Sequence, residues 1–379
     1  MSRHEVRVAR LGCSLNAWPT AAFHAEHPDA SWEERWERLR CGDVRDPHPA
    51  RCLRSAAAGG LRFVIPEDAE WPRRLDDLDR VLVARPTEDD RRNGRHLGTP
   101  FGLWVRGRPP SVERSVAIVG ARAATDYGLG VAAELGTGLA ERDVSVVSGA
   151  AFGIDAAAHR GALAVDGHTV AVLASGVDVP YPADHAVLLE HVSQVGTLIS
   201  EAPPGSRPRR EGFLHRNRLI AALAAGTVLV EANHRSGARN TVAHARRLGR
   251  VRMVVPGGVT SALSAGCHAE LRTDLEARLV TCAAEVTEEV GDLGADLVPV
   301  PSGPEDRRDG IGAAARELLE ALPPRDSWSV ERIAHQVRLP LAEAFALTAA
   351  LATHDLLEQT PDGFRLSALG RAPTRRHGS

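Results

Sequence analysis

The chain has 379 residues, 43% of them hydrophobic, a size that predicts two or three domains with ordinary buried cores. Its 46 basic residues are all arginine, which excludes a Walker-type phosphate lysine and any Schiff-base mechanism. No apolar run is long enough to span a bilayer, and residues 1–30 are too polar for a signal peptide, so a cytoplasmic protein without a membrane partner is expected. The five cysteines form no Cys-x-x-Cys pair, so no metal site is expected.

Two segments precede the main domain. Residues 1–60 form a divergent N-terminal helical region, whose clearest helix begins with a capping box from Ser31 to Glu34. Residues 61–114 are interpreted as a lead-in to the main domain. Within the lead-in, the pattern predicts a strand at 61–65, a polar loop at 85–97 and a strand at 101–106.

Strands and helices alternate throughout residues 115–291. The predicted strands consist largely of Val, Ala, Ile and Leu and lie at 115–119, 144–148, 169–173, 197–200, 227–231 and 251–255. Strands with so few polar residues are covered by helices on both faces of their sheet. The sequence therefore predicts an α/β domain with a doubly wound, mostly parallel sheet.

The end of the chain is predicted to form a separate small domain. Residues 292–310 are rich in Pro, Gly, Asp and Glu and are interpreted as a linker. In 311–371, three helices at 312–321, 329–337 and 341–353 precede a β-hairpin, the element order of a winged helix. Because the third helix contains no arginine, a structural or protein-contact role is favoured over duplex DNA reading.

Glycine-containing turns follow the first two strands of the main domain. Gly120 ends the first strand, and Ser148 and Gly149 end the second. Free N–H groups at such strand-to-helix turns can hold an anion, and the two turns are predicted to face one crevice. Gly153 would let a ligand approach closely, and Asp155 suits the positive end of the following helix. The alternative is that the glycines only permit the turn.

An arginine pair beside an aromatic residue provides a second candidate. Arg216, Asn217 and Arg218 stand close to Phe213 where a helix begins. Guanidinium groups fit phosphate oxygens, and an aromatic ring offers a surface for base stacking. The alternative is two arginines on a solvated helix face. The surrounding stretch, 205–250, has ten arginines and two glutamates, a net charge of +8 in a chain whose net charge is −3.

Two later turns complete the predicted sheet edge. Ser236 and Gly237 follow one strand, and the turn 256–260 follows another. Because the carboxyl ends of parallel strands share one edge, we expect four stretches to converge there, namely 148–159, 213–220, 236–241 and 255–260. Asp155, His159 and Glu231 are interpreted as structural or capping residues, with an ion-pair or capping role for His159 favoured over catalysis.

Several enzyme signatures are absent. The first turn has no G-x-G-x-x-G, and Arg122 occupies the position where a dinucleotide pyrophosphate would need room, which disfavours a nicotinamide enzyme. Neither a G-x-S-x-G elbow nor an H-E-x-x-H motif occurs. The site is therefore expected to bind phosphates without catalysis, cofactor or metal.

These motifs resemble the DprA/Smf family. Six separated motifs agree in order and spacing, at 116–122, 148–159, 181–182, 213–220, 230–241 and 256–267. The resemblance covers roughly residues 61–290, and the winged-helix-like tail is similar to that family's optional C-terminal domain. It implies a dimeric protein of extended Rossmann-like fold that is not an enzyme. Such a protein binds single-stranded DNA and promotes RecA loading in natural transformation and homologous recombination.

The resemblance also assigns roles by position. Those implied for phosphate binding are Arg122, Ser148 and Gly149, and those implied for contacts with bases and backbone are Phe213, Arg216 and Arg218. The chain departs from the family pattern at His185, at Leu214–His215 and after Cys267. The last departure leaves the dimer geometry open.

A second resemblance supplies the competing hypothesis. Nucleoside monophosphate phosphoribohydrolases similar to lysine decarboxylases have a Pro-Gly-Gly-x-Gly-Thr turn followed by a glutamate. Here the turn reads Pro-Gly-Gly-Val-Thr, and no glutamate follows before Glu270. That missing acid distinguishes the two hypotheses.

Overall fold

The computed structural model describes residues 10, 49–84, 98–291, 312–323 and 326–371. The chain separates into two compact units, Met1–Val298 and Pro299–Ser379. Most of the predicted N-terminal helical region, the 85–97 loop and the whole 292–310 linker lie outside the described residues. No described helix combines the length and the apolar character needed to cross a membrane.

A nine-stranded sheet organises the first unit. Its strands are β1 Arg62–Val64, β2 Leu103–Gly107, β3 Ser115–Val119, β4 Ser145–Ser148, β5 Thr169–Leu173, β6 Thr197–Ser200, β7 Gly226–Leu229, β8 Val251–Val254 and β9 Ala277–Leu279. Its described helices are α1 Pro49–Ala58, α2 Asp77–Ala84, α3 Asp126–Ala140, α4 Ile154–Leu163, α5 Ala186–Val195, α6 Arg210–Leu223, α7 Ala238–Arg247, α8 Ala265–Thr273 and α9 Ala283–Val290. Short 3₁₀ turns span Arg73–Asp76 and Ala183–His185.

The strand order is β1-β2-β6-β5-β4-β3-β7-β8-β9. All pairs from β6 to β9 are parallel, which confirms the predicted α/β, mostly parallel sheet. From β3 the chain builds outward in one direction to β6 and then returns to add β7 on the opposite side. The junction of β3 and β7 is therefore the topological switch point, where the following helices diverge and leave a crevice.

The strands predicted in the lead-in are found as β1 and β2, and the structure adds two features that the sequence pattern does not predict. The lead-in is part of the sheet, because β2 pairs antiparallel with β6 and β1 pairs antiparallel with β2. Trp104 and Val105 of β2 are buried, and their side chains belong to two different core clusters. The strand β9 has no apolar run to reveal it, since Arg278 and Leu279 are exposed at the edge of the sheet. Its pairing to β8 alone defines it.

Alternating side chains of β3 fill two cores, one on each face of the sheet. Val116 and Ile118 belong to the cluster under α3 and α4, whereas Ala117 and Val119 belong to the cluster on the opposite face. All four are buried, as a central strand covered on both sides requires. This packing fixes where the strands end, and hence where the loops that carry the polar side chains begin.

The second unit contains three helices followed by a hairpin. Its elements are α10 Ala313–Ala321, α11 Val330–Gln336, α12 Leu341–Thr353, β10 Leu357–Thr360, β11 Gly363–Leu366 and α13 Ala368–Arg371. Ser329 caps α11, since its hydroxyl accepts from the Arg332 N–H at 3.4 Å. Leu318, Ile333 and Phe364 are buried together in its core. The element order agrees with the sequence expectation, and the winged-helix assignment stays a prediction.

Candidate nucleic-acid interface

A cleft of about 770 Å³ opens beside the switch point. Its walls come from the turn after β3, the start of α4, the first half of α6 and the loop between β7 and α7. Seven of the residues proposed from sequence for phosphate or DNA binding line it: Gly120, Arg122, Phe213, Arg216, Asn217, Ser236 and Gly237. This cavity is called the switch-point cleft below.

Arg122 and two aromatic rings, Phe213 and Tyr181, lie together in the lining of this cleft. The Arg122 guanidinium carbon lies 5.2 Å from the centroid of the Phe213 ring, within cation–π distance. The Tyr181 ring also contacts Phe213, with its centroid 5.4 Å from that of the Phe213 ring. Arg122 has no ion-pair partner among the described residues, so its charge is free to meet a phosphate.

Arg216 lies under the cleft instead of projecting into solvent. Its side chain is 6% exposed, and Nη1 donates to the carbonyl oxygen of Val172 at 3.1 Å. Gly149 is glycine because a Cβ there would overlap the Arg216 guanidinium. Burial lowers the pKa of Arg216 to about 10, so the group stays charged at neutral pH. The expected direct contact with bases is replaced by a fixed positive charge beneath the floor.

Asp155 is the only carboxyl group among the described lining residues of the switch-point cleft. It is buried in the first turn of α4 and accepts a hydrogen bond from the Ala151 N–H at 3.4 Å. Burial raises its pKa, although the nearby Arg216 charge opposes that shift. The carboxyl therefore caps the loop and partly balances Arg216.

Asn217 ties the cleft wall to the start of α7. Its side-chain Nδ2 donates to Asn240 Oδ1 at 3.2 Å and to the Gly237 carbonyl at 3.4 Å. Gly237 itself has open space around its Cα, so no packing demand explains the glycine. Ser236 accepts from the Ala238 N–H at 3.3 Å and so shapes the same turn.

Three of the predicted contacts are used within the fold and need correction. Ser148 is completely buried, and its hydroxyl donates to the Ile118 carbonyl at 2.6 Å, so it cannot reach a phosphate. Gly153 has a φ of 77°, and a Cβ there would collide with the carbonyls of Ala121 and Arg122. Its role, like that of Gly149, is to allow close internal packing, the alternative that the sequence left open.

Arg218 is a structural residue and not a DNA contact. It is 4% exposed, and its guanidinium donates to both carboxylate oxygens of Glu201 at 2.6 and 2.7 Å. Its Nε also donates to the Gly98 carbonyl at 3.2 Å. Residues 216 and 218 lie on a helix, but the apolar packing of α6 buries both side chains, which the +8 count could not reveal.

His159 is a buried, hydrogen-bonded residue of the fold that neither caps a helix nor forms an ion pair with any described residue. Thr169 Oγ1 donates to the Val146 carbonyl at 2.9 Å, so it accepts from His159 Nδ1 at 2.7 Å. Complete burial lowers the pKa of His159 to about 3, and the ring is neutral, not ion-paired. The side chain points into the sheet and away from the end of α4, which is why it caps nothing.

Glu231 links the end of β7 to the start of α3. Its carboxylate accepts from the Thr125 N–H at 2.9 Å and from the Thr125 hydroxyl at 2.6 Å. The Thr125 oxygen in turn accepts from the Gly128 N–H at 3.2 Å and caps α3. Glu231 thereby braces the two elements that flank the switch point.

Much of the +8 charge of residues 205–250 is neutralised by carboxylates from elsewhere. Besides Arg218, Arg239 and Arg246 bind Glu270, and Arg250 binds Asp77 at 2.7 Å. Four exposed arginines of this stretch have no carboxylate partner among the described residues, namely Arg207, Arg209, Arg210 and Arg235. These four residues, called the basic rim below, include one that lines the cleft, Arg210.

Two side chains that could contact DNA in the cleft, Tyr181 and Arg210, are not among the binding residues predicted from the sequence. Tyr181, 42% exposed, comes from the connection between β5 and α5, and Arg210 begins α6. The signal for both was present: Tyr181 belongs to a motif of the family resemblance, and Arg210 belongs to the arginine-rich stretch. The turn 256–260, by contrast, does not line the cleft, and the Pro256 carbonyl accepts from the Tyr127 hydroxyl at 2.7 Å.

The described residues contain no group of three or more His, Cys, Asp or Glu side chains suited to a metal ion.

The fold and the cleft define a Rossmann-like α/β protein with an arginine- and aromatic-lined binding cleft at its switch point. The chain belongs to the DNA recombination-mediator protein A family, whose model matches residues 62–291. This confirms the DprA/Smf resemblance of the sequence motifs.

Named relatives agree with this assignment. The chain is 45% identical over 324 residues to the putative DNA processing protein DprA of Mycobacterium tuberculosis, covering 84% of this chain and 80% of the relative. DprA from Streptococcus pneumoniae has a similar structure, with a TM-score of 0.58, 26% identity and coverage of 76% of this chain and 97% of that one. DprA from Helicobacter pylori, described with a unique single-stranded DNA binding mode, shares the fold at a TM-score of 0.50 and 24% identity, covering 60% and 93%.

Proposed function

We propose that this protein binds single-stranded DNA in the switch-point cleft and acts in recombination as a mediator without catalysis of its own. We propose that it works in the cytoplasm as a homodimer. There it would promote the loading of RecA onto DNA during DNA uptake or homologous recombination. The RecA and dimer parts of this proposal rest on the family resemblance. The DNA-binding part rests on the geometry of the cleft.

The observation that carries the proposal is the cluster of Arg122, Phe213 and Tyr181. Two aromatic rings at the cleft surface offer stacking partners to unpaired bases, and each stacked base is worth about 1–3 kcal/mol. An unpaired guanidinium over one ring is placed for the adjoining phosphate. Bases inside a duplex already stack on their neighbours, so this arrangement favours single strands.

The charge distribution supports the same ligand. Arg216 supplies a buried positive charge below the floor, and Arg210 of the basic rim adds an exposed guanidinium group in the cleft lining. Neutralisation of phosphates by such groups releases counterions and makes affinity fall as salt rises. The protein is acidic overall, so this attraction is local to the rim and cleft.

Binding to a fluorescent oligo-dT across a salt series tests the proposal directly. The expected result is salt-sensitive binding that is at least tenfold tighter for the single strand than for a duplex of the same length. Addition of RecA should then show faster filament formation on the bound strand. Equal binding to both DNA forms, or none to either, would contradict the single-strand assignment.

One observation keeps a hydrolase in consideration. Asp155 is a buried carboxyl with a raised pKa at a cleft, a feature common in active sites. Against it, Glu270 is bound to Arg239 and Arg246 at 2.8 and 2.7 Å and is not free to act as a base. Incubation with nucleoside monophosphates decides between the two functions, because release of free base that disappears in Asp155→Asn would establish the enzyme.

A further inference from the structure

A second cleft shares the turn after β3 with the switch-point cleft. It measures about 480 Å³ and is lined in part by Arg122 and Ala123, which also line the switch-point cleft. The turn is thus a ridge between two cavities. The far wall of the second cavity, called the α4 cleft below, carries Phe152, Arg160 and His185.

The loop after β4 holds Phe152 outward. Ala150 has a φ of 52° and Gly153 one of 77°, so the backbone takes the left-handed region on both sides of Phe152. A non-glycine residue in that region is costly and needs support from its surroundings. His185 provides it, because its Nδ1 donates to the Ala150 carbonyl at 3.0 Å.

The Phe152 ring is consequently presented to solvent on a fixed support. It is 44% exposed, and its edge-on contact with the His185 ring has a centroid distance of 4.6 Å. A large exposed aromatic held by a strained loop is poorly explained by packing, since it buries little. The same feature is what a stacking platform for an unpaired base requires.

Arg160 supplies the charge at the far end of the α4 cleft. It is exposed and has no hydrogen-bond or ion-pair partner among the described residues. It lies seven residues after Gly153, two turns along one face of α4, or about 10 Å along the helix from that glycine. Asp184 is the opposing charge in this cleft, so a phosphate path would follow the Arg122 and Arg160 side, with Asp184 left to accept from base amino groups.

We propose that a single strand bound in the switch-point cleft continues over the Arg122 ridge into the α4 cleft, where Phe152 stacks a further base and Arg160 meets a further phosphate. This inference rests on the proposed function and extends it to a second subsite. Arg122 serves both cavities, which makes the ridge the midpoint of one continuous track.

Two oligo-dT lengths separate the subsites, one of about 5 nucleotides and one of about 15, within the site sizes usual for such proteins. Wild type should bind the longer strand more tightly. Phe152→Ala and Arg160→Ala should each weaken binding of the longer strand about fivefold or more and leave the shorter strand unaffected. Arg122→Ala should weaken both. Arg160→Ala should also reduce the salt slope for the longer strand by about 1.

Arg272→Ala is the matched control, since Arg272 is likewise exposed without a partner among the described residues but lies on α8. Phe152→Leu keeps the bulk without the ring, and should behave like Phe152→Ala while melting at the wild-type temperature. Wild-type affinity for the longer strand in both α4-cleft variants would overturn this inference alone. Failure of the wild type to bind either strand would instead overturn the proposed function.

Discussion

Exposed arginines at the cleft and arginines near β8 and β9 differ in whether a carboxylate pairs with them, although nothing in the sequence distinguishes the two groups. Arg210 lines the switch-point cleft and has no ion-pair partner among the described residues, whereas Arg246 binds Glu270 at 2.7 Å and Asp274 at 3.0 Å. Arg252 is buried against Asp274 at 2.8 Å. Charge that is already paired stabilises the fold, and only the unpaired charge is available to DNA.

The largest effect is expected from breaking the buried pair near β8 and β9. Arg252→Met should lower the free energy of unfolding by about 3 kcal/mol, because it leaves the buried Asp274 carboxylate with one arginine partner fewer. Urea denaturation measures the loss. DNA affinity of the folded variant should stay at the wild-type value, because Arg252 does not line the cleft. A folded variant that binds DNA poorly would contradict the separation of the two regions.

Removal of the stacking ring should have the next largest effect. Phe213→Ala is expected to cost about 2 kcal/mol of single-strand affinity, roughly thirtyfold in Kd, through the loss of base stacking. The slope of log Kd against log salt should not change, since no charge is removed. Phe213→Tyr is the control, because it keeps the ring. Equal weakening by both variants would show that the ring does not stack on a base.

Removal of the ridge arginine should change both affinity and salt dependence. Arg122→Ala is expected to weaken binding about tenfold at low salt and to reduce the salt slope by about 1, as loss of one phosphate contact predicts. Its thermal midpoint should match wild type, since the exposed side chain makes no ion pair among the described residues. An unchanged slope would assign the Arg122 contact to a base or to the protein.

The buried pair should also give the protein a distinct acid response. Hydrogen bonds from Arg252 and Arg246 hold the pKa of Asp274 well below its usual value of 3.8. A carboxyl with a depressed folded-state pKa stabilises the fold above its unfolded pKa and loses that contribution as pH falls. The stability gap between wild type and Arg252→Met should therefore narrow by about 1 kcal/mol between pH 7 and pH 3. A gap that widens would contradict this sign.

The smallest effects come from a matched pair of exposed arginines. Arg210→Ala should weaken DNA binding about threefold to fivefold, because its unpaired charge lies at the cleft. Arg246→Ala should leave DNA binding unchanged and cost at most about 1 kcal/mol of stability, as expected for a half-exposed ion pair. Anisotropy at one low salt concentration compares the two. Equal losses would mean that overall charge, not pairing, controls binding.

The sequence predicts most of the sheet because each central strand is marked by a continuous run of apolar residues. The apolar runs at 115–119, 169–173 and 197–200 coincide with β3, β5 and β6, since strands buried on both faces need continuous Val, Ala, Ile and Leu. The edge strand β9 lacks that signal, because only β8 covers it. The antiparallel pairing of β2 with β6 could not be predicted from the local sequence either, since strand pairing depends on residues far apart in the chain.

The sequence predicted where the site lies better than it predicted which side chains line it. Parallel strands bring their carboxyl ends to one edge, so the turns after β3, β4 and β7 meet as expected. Which side chains face outward depended on packing: Phe213 lines the cleft, while Ser148 and Arg218 turn inward to the Ile118 carbonyl and to Glu201. Tyr181 enters from a loop that only the fold brings near.

By itself, the sequence determined the parallel α/β class, the family and the sheet edge that holds the cleft, because these follow from local apolar runs and from glycine turns at fixed spacing. The tertiary structure decided which arginines remain available to a ligand. A carboxylate can neutralise an arginine from any point in the chain, as Asp77 does for Arg250 across the fold, and such pairing is invisible until the chain is folded.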